Sequence, residues 1–324
     1  MLYTPVKTNV IPEEDFENGI ARVESLLSQY AEEGYMTSYD GAKIAYTNYL
    51  VKDAVGSIVI VHGFTEYRKK YTELSWYFIN KGYNVFTYDH RGHGFSDREV
   101  SGYELAHIES FDEYVFDLEC FVDNIVIPRG GKENINIFSH SMGGSVTTLY
   151  LARCGDKISR AVLSSPMVVP YTRNCPIWVL KIVLKTDARK NGWAGKFRYA
   201  GEFREDHPFD QSHDTSYPRF KHNLEVRIAE KRYHTSSSTN RWMYEAVTVG
   251  KRMLDKKNCG KVRAKMLIIN SAEDVVVKRK PQEKLARRLN CRFISIPEAK
   301  HSAFICTSPK LEKYLNTIFD FLKA

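Results

Sequence analysis

The sequence predicts an α/β fold. It reads as a mostly parallel, doubly wound sheet with an antiparallel N-terminal hairpin and an inserted helical segment. Three observations predict it. Short apolar strand-like runs alternate with helix-like runs from about residue 57 to 164 and again from 266 to 322, the pattern of a parallel sheet covered on both faces. An Asp40-Gly41 turn joins Tyr35–Tyr39 to Lys43–Leu50, which marks a hairpin. Between residues 168 and 263 strand periodicity disappears, so this stretch is expected to be an insert of helices and loops between two sheet strands.

The elements follow in order. Residues 13–33 alternate acids with Phe16, Ile20, Val23, Leu26, Leu27 and Tyr30 at helical spacing. An amphipathic helix with an acidic outer face is expected there, packed on the main body as a separate N-terminal element (1–33). After the hairpin come strand Ser57–Val61, a helix near Tyr71–Lys81, strand Asn84–Tyr88 and a helix near Phe111–Ile127. Strand Asn134–Phe138, a helix after Ser141 and strand Arg160–Ser164 complete the first stretch. Beyond the insert lie strand Met266–Asn270, a helix near Pro281–Leu289, strand Arg292–Ile296 and a final helix near Pro309–Leu322. The core is thus 34–167 with 264–324, and 168–263 is a mainly helical cap.

Composition bounds the class. At 324 residues, 43% hydrophobic and 27% charged, the chain has the balance of a water-soluble globular protein. No apolar run nears the roughly 20 residues of a membrane span. The first residues lack the apolar core of a secretory signal. Six scattered cysteines without a C-x-x-C pair fit reduced thiols in a cytoplasm better than a disulfide framework or a zinc site. Net charge is +8, and residues 168–263 hold 20 Lys/Arg against 10 Asp/Glu. One segment therefore carries the whole basic excess. Such a surface attracts anionic lipid heads, nucleic acid or acidic substrates, or is simply a solvated face.

Ser139-His140-Ser141-Met142-Gly143-Gly144 links a strand-like run to a helix-like run. A serine on such a sharp turn has its hydroxyl exposed beside free N–H groups at a helix start, which suits nucleophilic attack on an acyl carbonyl. Ser141 is the expected nucleophile. In a doubly wound sheet of this kind the acid and then the histidine follow the serine along the chain. His301, after the last strand, is the expected base, and Asp274, after strand Met266–Asn270, the expected orienting acid; Glu273 is its rival. The N–H groups of Met142 and of Phe64, the latter in His62-Gly63-Phe64-Thr65, are the expected oxyanion donors. His62 and the turn Asp89-His90-Arg91-Gly92-His93-Gly94-Phe95-Ser96 read as structural, since no metal-ligand spacing accompanies them. The apolar run Pro176–Lys185 is suited to line an acyl pocket or to dip into a membrane interface. Trp178 and Val179 from that run, with His140 beside the nucleophile, are the candidate substrate-binding residues.

Together, His62-Gly63, the Asp89–Ser96 turn, His140-Ser141-Met142-Gly143-Gly144, Asp274 with Val276-Val277, and His301 resemble the α/β-hydrolases of the monoacylglycerol lipase and lysophospholipase group, also called the serine aminopeptidase S33 or hydrolase 4 family. Tyr217-Pro218-Arg219-Phe220 and the stretch from Thr239 to Leu254 resemble the cap pattern of that group. The resemblance implies the α/β-hydrolase fold and hydrolysis of a single-chain lipid ester through an acyl-enzyme on Ser141. General carboxylesterase or aminopeptidase-like amide hydrolysis is the alternative. It implies no cofactor, no metal and no nucleic acid partner, while the basic cap suggests peripheral contact with anionic membrane. One position departs from the pattern: Ser139 stands where the group usually has glycine.

Overall fold

The computed structural model describes residues 1–172, 175–197 and 201–323. Among them, eight strands form one sheet: β1 Ala31–Thr37, β2 Lys43–Tyr49, β3 Gly56–Val61, β4 Tyr83–Tyr88, β5 Ile135–His140, β6 Ile158–Ser164, β7 Lys265–Ser271 and β8 Arg292–Ile296. Their spatial order is β1-β2-β4-β3-β5-β6-β7-β8. The pairs β1–β2 and β2–β4 are antiparallel and the rest are parallel. The central strands β3, β4 and β5 are buried along their whole length. Their largely apolar runs are what a sheet covered on both faces requires.

Helices α1 (Phe16–Ser28), α2 (Thr72–Asn80), α3 (Asp112–Phe121) and α4 (Met142–Cys154) belong to the first part of the chain. The insert contributes α5 (Ile177–Asn191), α6 (Tyr217–Ala229) and α7 (Asn240–Met253), and the end of the chain α8 (Arg279–Leu289) and α9 (Ser308–Lys323). One face of the sheet packs under α1, α2 and α9 through residues such as Leu27, Phe78, Phe138 and Ile318. The other packs under α3, α4, α7 and α8 through Leu118, Val146, Val249 and Leu285.

The N-terminal helix is shorter than its acidic periodicity suggested. It stops at Ser28, and Ala31, Glu32 and Glu33 open strand β1 opposite Tyr49, Asn48 and Thr47. The acids at the end of the helical pattern decorate an edge strand instead, where Arg129 bonds Glu32 at 2.7 Å and Thr47 donates to Glu33 at 3.1 Å. Charged side chains on an edge protect it from pairing with another sheet. The hairpin correspondingly begins at Ala31, not at Tyr35.

Residues between β6 and β7 lie over the carboxyl end of the sheet. Thr239 caps α7 by accepting the Trp242 N–H at 3.2 Å, and Pro218 occupies the first turn of α6, where no N–H is needed. The inserted helices share a small core of Leu184, Phe197 and Val247. Arg219, fully buried on α6, ties them to the body. Its guanidinium bonds Glu73 of α2 and Glu13 before α1, each at 2.8 Å, and the Ile11 carbonyl at 3.0 Å.

Candidate active site

Ser141 joins β5 directly to α4 with φ 50° and ψ −115°. A non-glycine residue at positive φ costs on the order of 1–3 kcal/mol and persists only where its surroundings impose it. Here the Ser141 N–H donates to the Ser164 carbonyl at 3.0 Å, and its own carbonyl accepts from Gly144 at 3.0 Å and Met167 at 2.9 Å. The two glycines are steric necessities: a Cβ on Gly143 would strike the Val61 carbonyl, and one on Gly144 would strike Pro166. Ser139, in place of the usual glycine, is fully buried and donates its hydroxyl to the Val162 carbonyl at 3.3 Å. The neighbouring strand thus accommodates the added side chain.

The carboxyl ends of β7 and β8 bring two distant side chains to this serine. His301 Nε2 lies 2.9 Å from Ser141 Oγ, and His301 Nδ1 lies 2.7 Å from Asp274 Oδ2. The other oxygen of Asp274 accepts the N–H groups of Val276 at 2.8 Å and Val277 at 3.0 Å. Glu273 is exposed and makes no hydrogen bond to His301, so the geometry selects Asp274 of the two neighbours. Burial alone would raise the Asp274 carboxyl. The His301 hydrogen bond and charge, with the Val277 and Val276 N–H groups, outweigh it and hold the group below its ordinary value. Burial pushes the His301 imidazole below the ordinary 6.5, with the Asp274 bond opposing and the His140 charge reinforcing. At neutral pH the ring is therefore unprotonated and able to accept a proton.

The Phe64 and Met142 N–H groups meet no acceptor among the described residues. Phe64 is fixed by stacking on Trp242 of α7, ring centroids 3.9 Å apart, and Thr65 beside it has φ 63°. Behind this loop stands a buried carboxylate that the sequence reading missed. Glu66 accepts from the Gly63 N–H at 2.5 Å, Tyr71 at 2.6 Å, Lys70 at 2.8 Å and His140 Nδ1 at 3.0 Å. Burial would raise it, but Lys70 and His140 hold it well below the ordinary range. His140 in turn reaches the His301 carbonyl at 3.2 Å. One anion thereby braces the Phe64 loop, the residue before the nucleophile and the His301 loop. The only trace in the sequence is the i, i+4 spacing of Glu66 and Lys70.

A cavity of about 560 Å³ opens at Ser141 beneath the inserted helices. Phe64, His140, Met167, Tyr171, Trp242, Met243 and Val276 contribute to its walls. The structure does not bring Trp178 and Val179 to it. Ile177, Leu180 and Leu184 form the packed face of α5, which turns Trp178 outward to 67% exposure. The apolar run has two faces, and the one expected to meet substrate meets solvent or is only half-buried.

His62, His90 and His93 form a buried edge-to-face cluster beside Phe64, with ring centroids 4.4 Å apart for His62–His90 and 5.3 Å for His62–His93. The His90 N–H donates to His62 Nε2 at 2.9 Å. Asp89 accepts from the N–H groups of Arg68 at 2.7 Å and Phe95 at 3.0 Å, which closes the polar turn. Among the described residues no group of His, Cys, Asp or Glu has the arrangement of a metal site, and no helix is long and apolar enough to cross a membrane.

A serine at this strand-to-helix turn, with an acid after β7 and a histidine after β8 of such a sheet, defines an α/β-hydrolase. The family profile described as serine aminopeptidase, S33 (Hydrolase_4) matches residues 52–305, and the chain belongs to that family. It is 25% identical to a probable lysophospholipase L2 of Haemophilus influenzae over 90% of this chain and 91% of that one. It is 27% identical to lysophospholipase L2 of Escherichia coli over 76% of this chain and 72% of the relative. Among solved structures, a soluble variant of monoglyceride lipase from Saccharomyces cerevisiae superposes with a TM-score of 0.71 at 20% identity, covering 90% of this chain and 94% of that one.

Proposed function

We propose that this α/β-hydrolase cleaves the carboxylic ester of a single-chain lipid, a lysophospholipid or monoacylglycerol, through an acyl-enzyme on Ser141. The observation that carries the reading is the unbroken hydrogen-bonded line from Ser141 Oγ through His301 to Asp274, opening into a cavity whose walls combine aromatic and aliphatic side chains such as Phe64, Met167, Trp242 and Val276 with polar and charged ones. Ser141 Oγ attacks the ester carbonyl carbon as its proton passes to His301 Nε2. The carbonyl oxygen, now anionic, is held by the Phe64 and Met142 N–H groups. Collapse of the intermediate expels the alcohol, which takes the proton from His301. Water then attacks the acyl-enzyme with His301 again as base, freeing the fatty acid and restoring the Ser141 hydroxyl. Asp274 holds the imidazole in the tautomer these transfers need.

The names of the relatives, two lysophospholipases and a monoglyceride lipase, support a lipid ester as substrate. An aminopeptidase would need a carboxylate free to bind an ammonium group. Glu66 is already engaged by four donors, and Glu202 of the same cavity is paired with Lys196 at 2.9 Å. Residues 168–263 act as the cap in this reading. Trp178 and Ile182 stand exposed on α5 among the basic residues Lys185 and Arg189, a surface suited to rest on anionic lipid heads. The six unpaired thiols suit the cytoplasm.

The test is hydrolysis of lysophosphatidylcholine, a monoacylglycerol and an amino-acyl anilide by the purified protein and by Ser141→Ala. The wild type should cleave a lipid ester and leave the anilide untouched. The variant should keep the fold and lose turnover and labelling by a fluorophosphonate. Full esterase activity in Ser141→Ala would end the proposal.

A further inference from the structure

The charges lining the cavity are not evenly matched. Lys70 is bonded to Glu66 at 2.8 Å, Arg204 to Asp206 at 3.1 Å, and Glu202 to Lys196 at 2.9 Å. His213 is pushed down to about 4 by burial and then by the charges of His301 and Lys70, so it is neutral at pH 7. Arg227, in the last turn of α6, differs. Its Nε donates to the Tyr233 carbonyl at 3.1 Å and its Nη2 to the Thr235 carbonyl at 3.1 Å, and the guanidinium lies 4.7 Å over the Phe203 ring. Among the described residues it makes no ion pair with a carboxylate.

Two of the five N–H donors of an arginine are thus spent on holding it in place, and the rest are left for a ligand. Arg219, two helical turns earlier on the same helix, has two carboxylates around it. Arg227 is half-buried, so its guanidinium is partly shielded from water with no carboxylate beside it among the described residues, and a bound anion would offset part of that cost. Burial also pushes the Arg227 guanidinium down, with Tyr67 and Glu66 only partly opposing. An anion at this point would reverse the shift.

We infer that Arg227 is a phosphate-binding residue of the cavity, which it lines together with Ser141 and His301 and which thereby discriminates a phosphate-bearing single-chain lipid from an uncharged one. The inference rests on the lipid-ester reading and deepens it. Arginine pairs with phosphate oxygens through two parallel N–H bonds, and its fixed fork suits a tetrahedral anion. A monoacylglycerol offers no such group. A lysophospholipid offers one, bonded to the glycerol whose ester Ser141 attacks.

The experiment uses the full chain with lysophosphatidylglycerol and a monoacylglycerol of the same acyl length, and with p-nitrophenyl butyrate as a short ester. In the wild type, sn-glycerol 3-phosphate should inhibit p-nitrophenyl butyrate hydrolysis competitively, and inorganic phosphate more weakly. Arg227→Met should raise KM for lysophosphatidylglycerol about tenfold or more, the loss expected for charge-assisted hydrogen bonds. It should abolish glycerol phosphate inhibition and lower the preference for the phosphate-bearing lipid over the monoacylglycerol. Arg227→Lys should recover part of that preference, because the charge remains without the fork. Equal losses on both lipids, an unchanged preference, or a wild type indifferent to glycerol phosphate would each overturn the assignment. A wild type that cleaves the short ester but neither lipid rejects the lipid-ester reading itself; the glycerol phosphate measurement still judges Arg227 separately.

Discussion

At the rim of the sheet, Ser141, His301 and Asp274 each have a protein partner within hydrogen-bonding reach. In the inserted segment above, Arg227 is fixed by two carbonyls and, among the described residues, pairs with no carboxylate. The first region is complete without substrate, as groups that stabilise a transition state must be if they are not to reorganise during the reaction. The second becomes complete when an anion arrives. Chemistry and selectivity are thus separated along the chain: the reacting groups stand on loops held by the parallel sheet, and the cation stands on a helix threaded in between β6 and β7.

The comparison can be broken most severely at the rim. Asp274→Asn keeps the shape but removes the charge that fixes the imidazole, and turnover should fall by about 10⁴ with KM little changed. Steady-state kinetics on a short ester checks this, and a drop under tenfold would remove Asp274 from the line. On α6, Arg219→Met removes a buried cation from two part-exposed carboxylates, Glu73 and Glu13. Breaking a fully buried pair typically costs about 3–5 kcal/mol, so urea unfolding should show a loss below that range yet larger than for an exposed pair such as Arg279–Glu283.

Acid should sharpen the same contrast. His301 must be neutral to act, and its value is lowered, so the acid limb of kcat/KM should fall below pH 6.5. The histidine cluster beside Phe64 gives a parallel signal in stability. Burial first, with the neighbouring histidines adding to it, lowers His90 and His93 well below 6.5, and burial lowers His62. The folded state therefore binds fewer protons than the unfolded chain below pH 6.5, and stability present above that pH is lost as pH falls through the folded values. A melting temperature that rises on acidification from pH 7 to 5 would contradict this. The smallest effect belongs to the outer surface. Replacing Trp178 and Ile182 with serine should weaken binding to anionic liposomes in a sedimentation assay, leave a soluble short ester turning over as before, and preserve the salt dependence that Lys185 and Arg189 supply.

The parallel part of the sheet was legible because its strands are short, largely apolar and bounded by turn residues, which suits a layer between helices. Ser141, Asp274 and His301 were legible for a related reason: each directly follows a strand, and strands of one parallel sheet end on one side. The cap obeyed different rules. The Pro176–Lys185 run is apolar on more than one face, and its neighbours on α7 decide which face is covered. Sequence therefore named Trp178 and Val179, and packing turned Trp178 outward and left Val179 outside the cavity. Nothing local in the sequence sets Glu66 and Arg227 apart, and Arg219 stands out only within the Tyr217-Pro218-Arg219-Phe220 resemblance. The burial of Glu66 and Arg219 is a tertiary fact, since Glu66 is enclosed by residues as distant as His140 and Arg219 meets Glu13 and Glu73. The start of β1 escaped because three residues of an acidic pattern are too few to tell a helix end from a strand edge.

The span of Arg219 has a practical consequence for anyone who shortens the protein. One guanidinium gathers the amino-terminal arm, the second core helix and the lid segment into a single knot. Removing the first fifteen or so residues would look harmless on a linear map, being far from Ser141 in sequence. It would nevertheless loosen the ceiling of the cavity, and selectivity among substrates should register the damage before the hydrolytic step does.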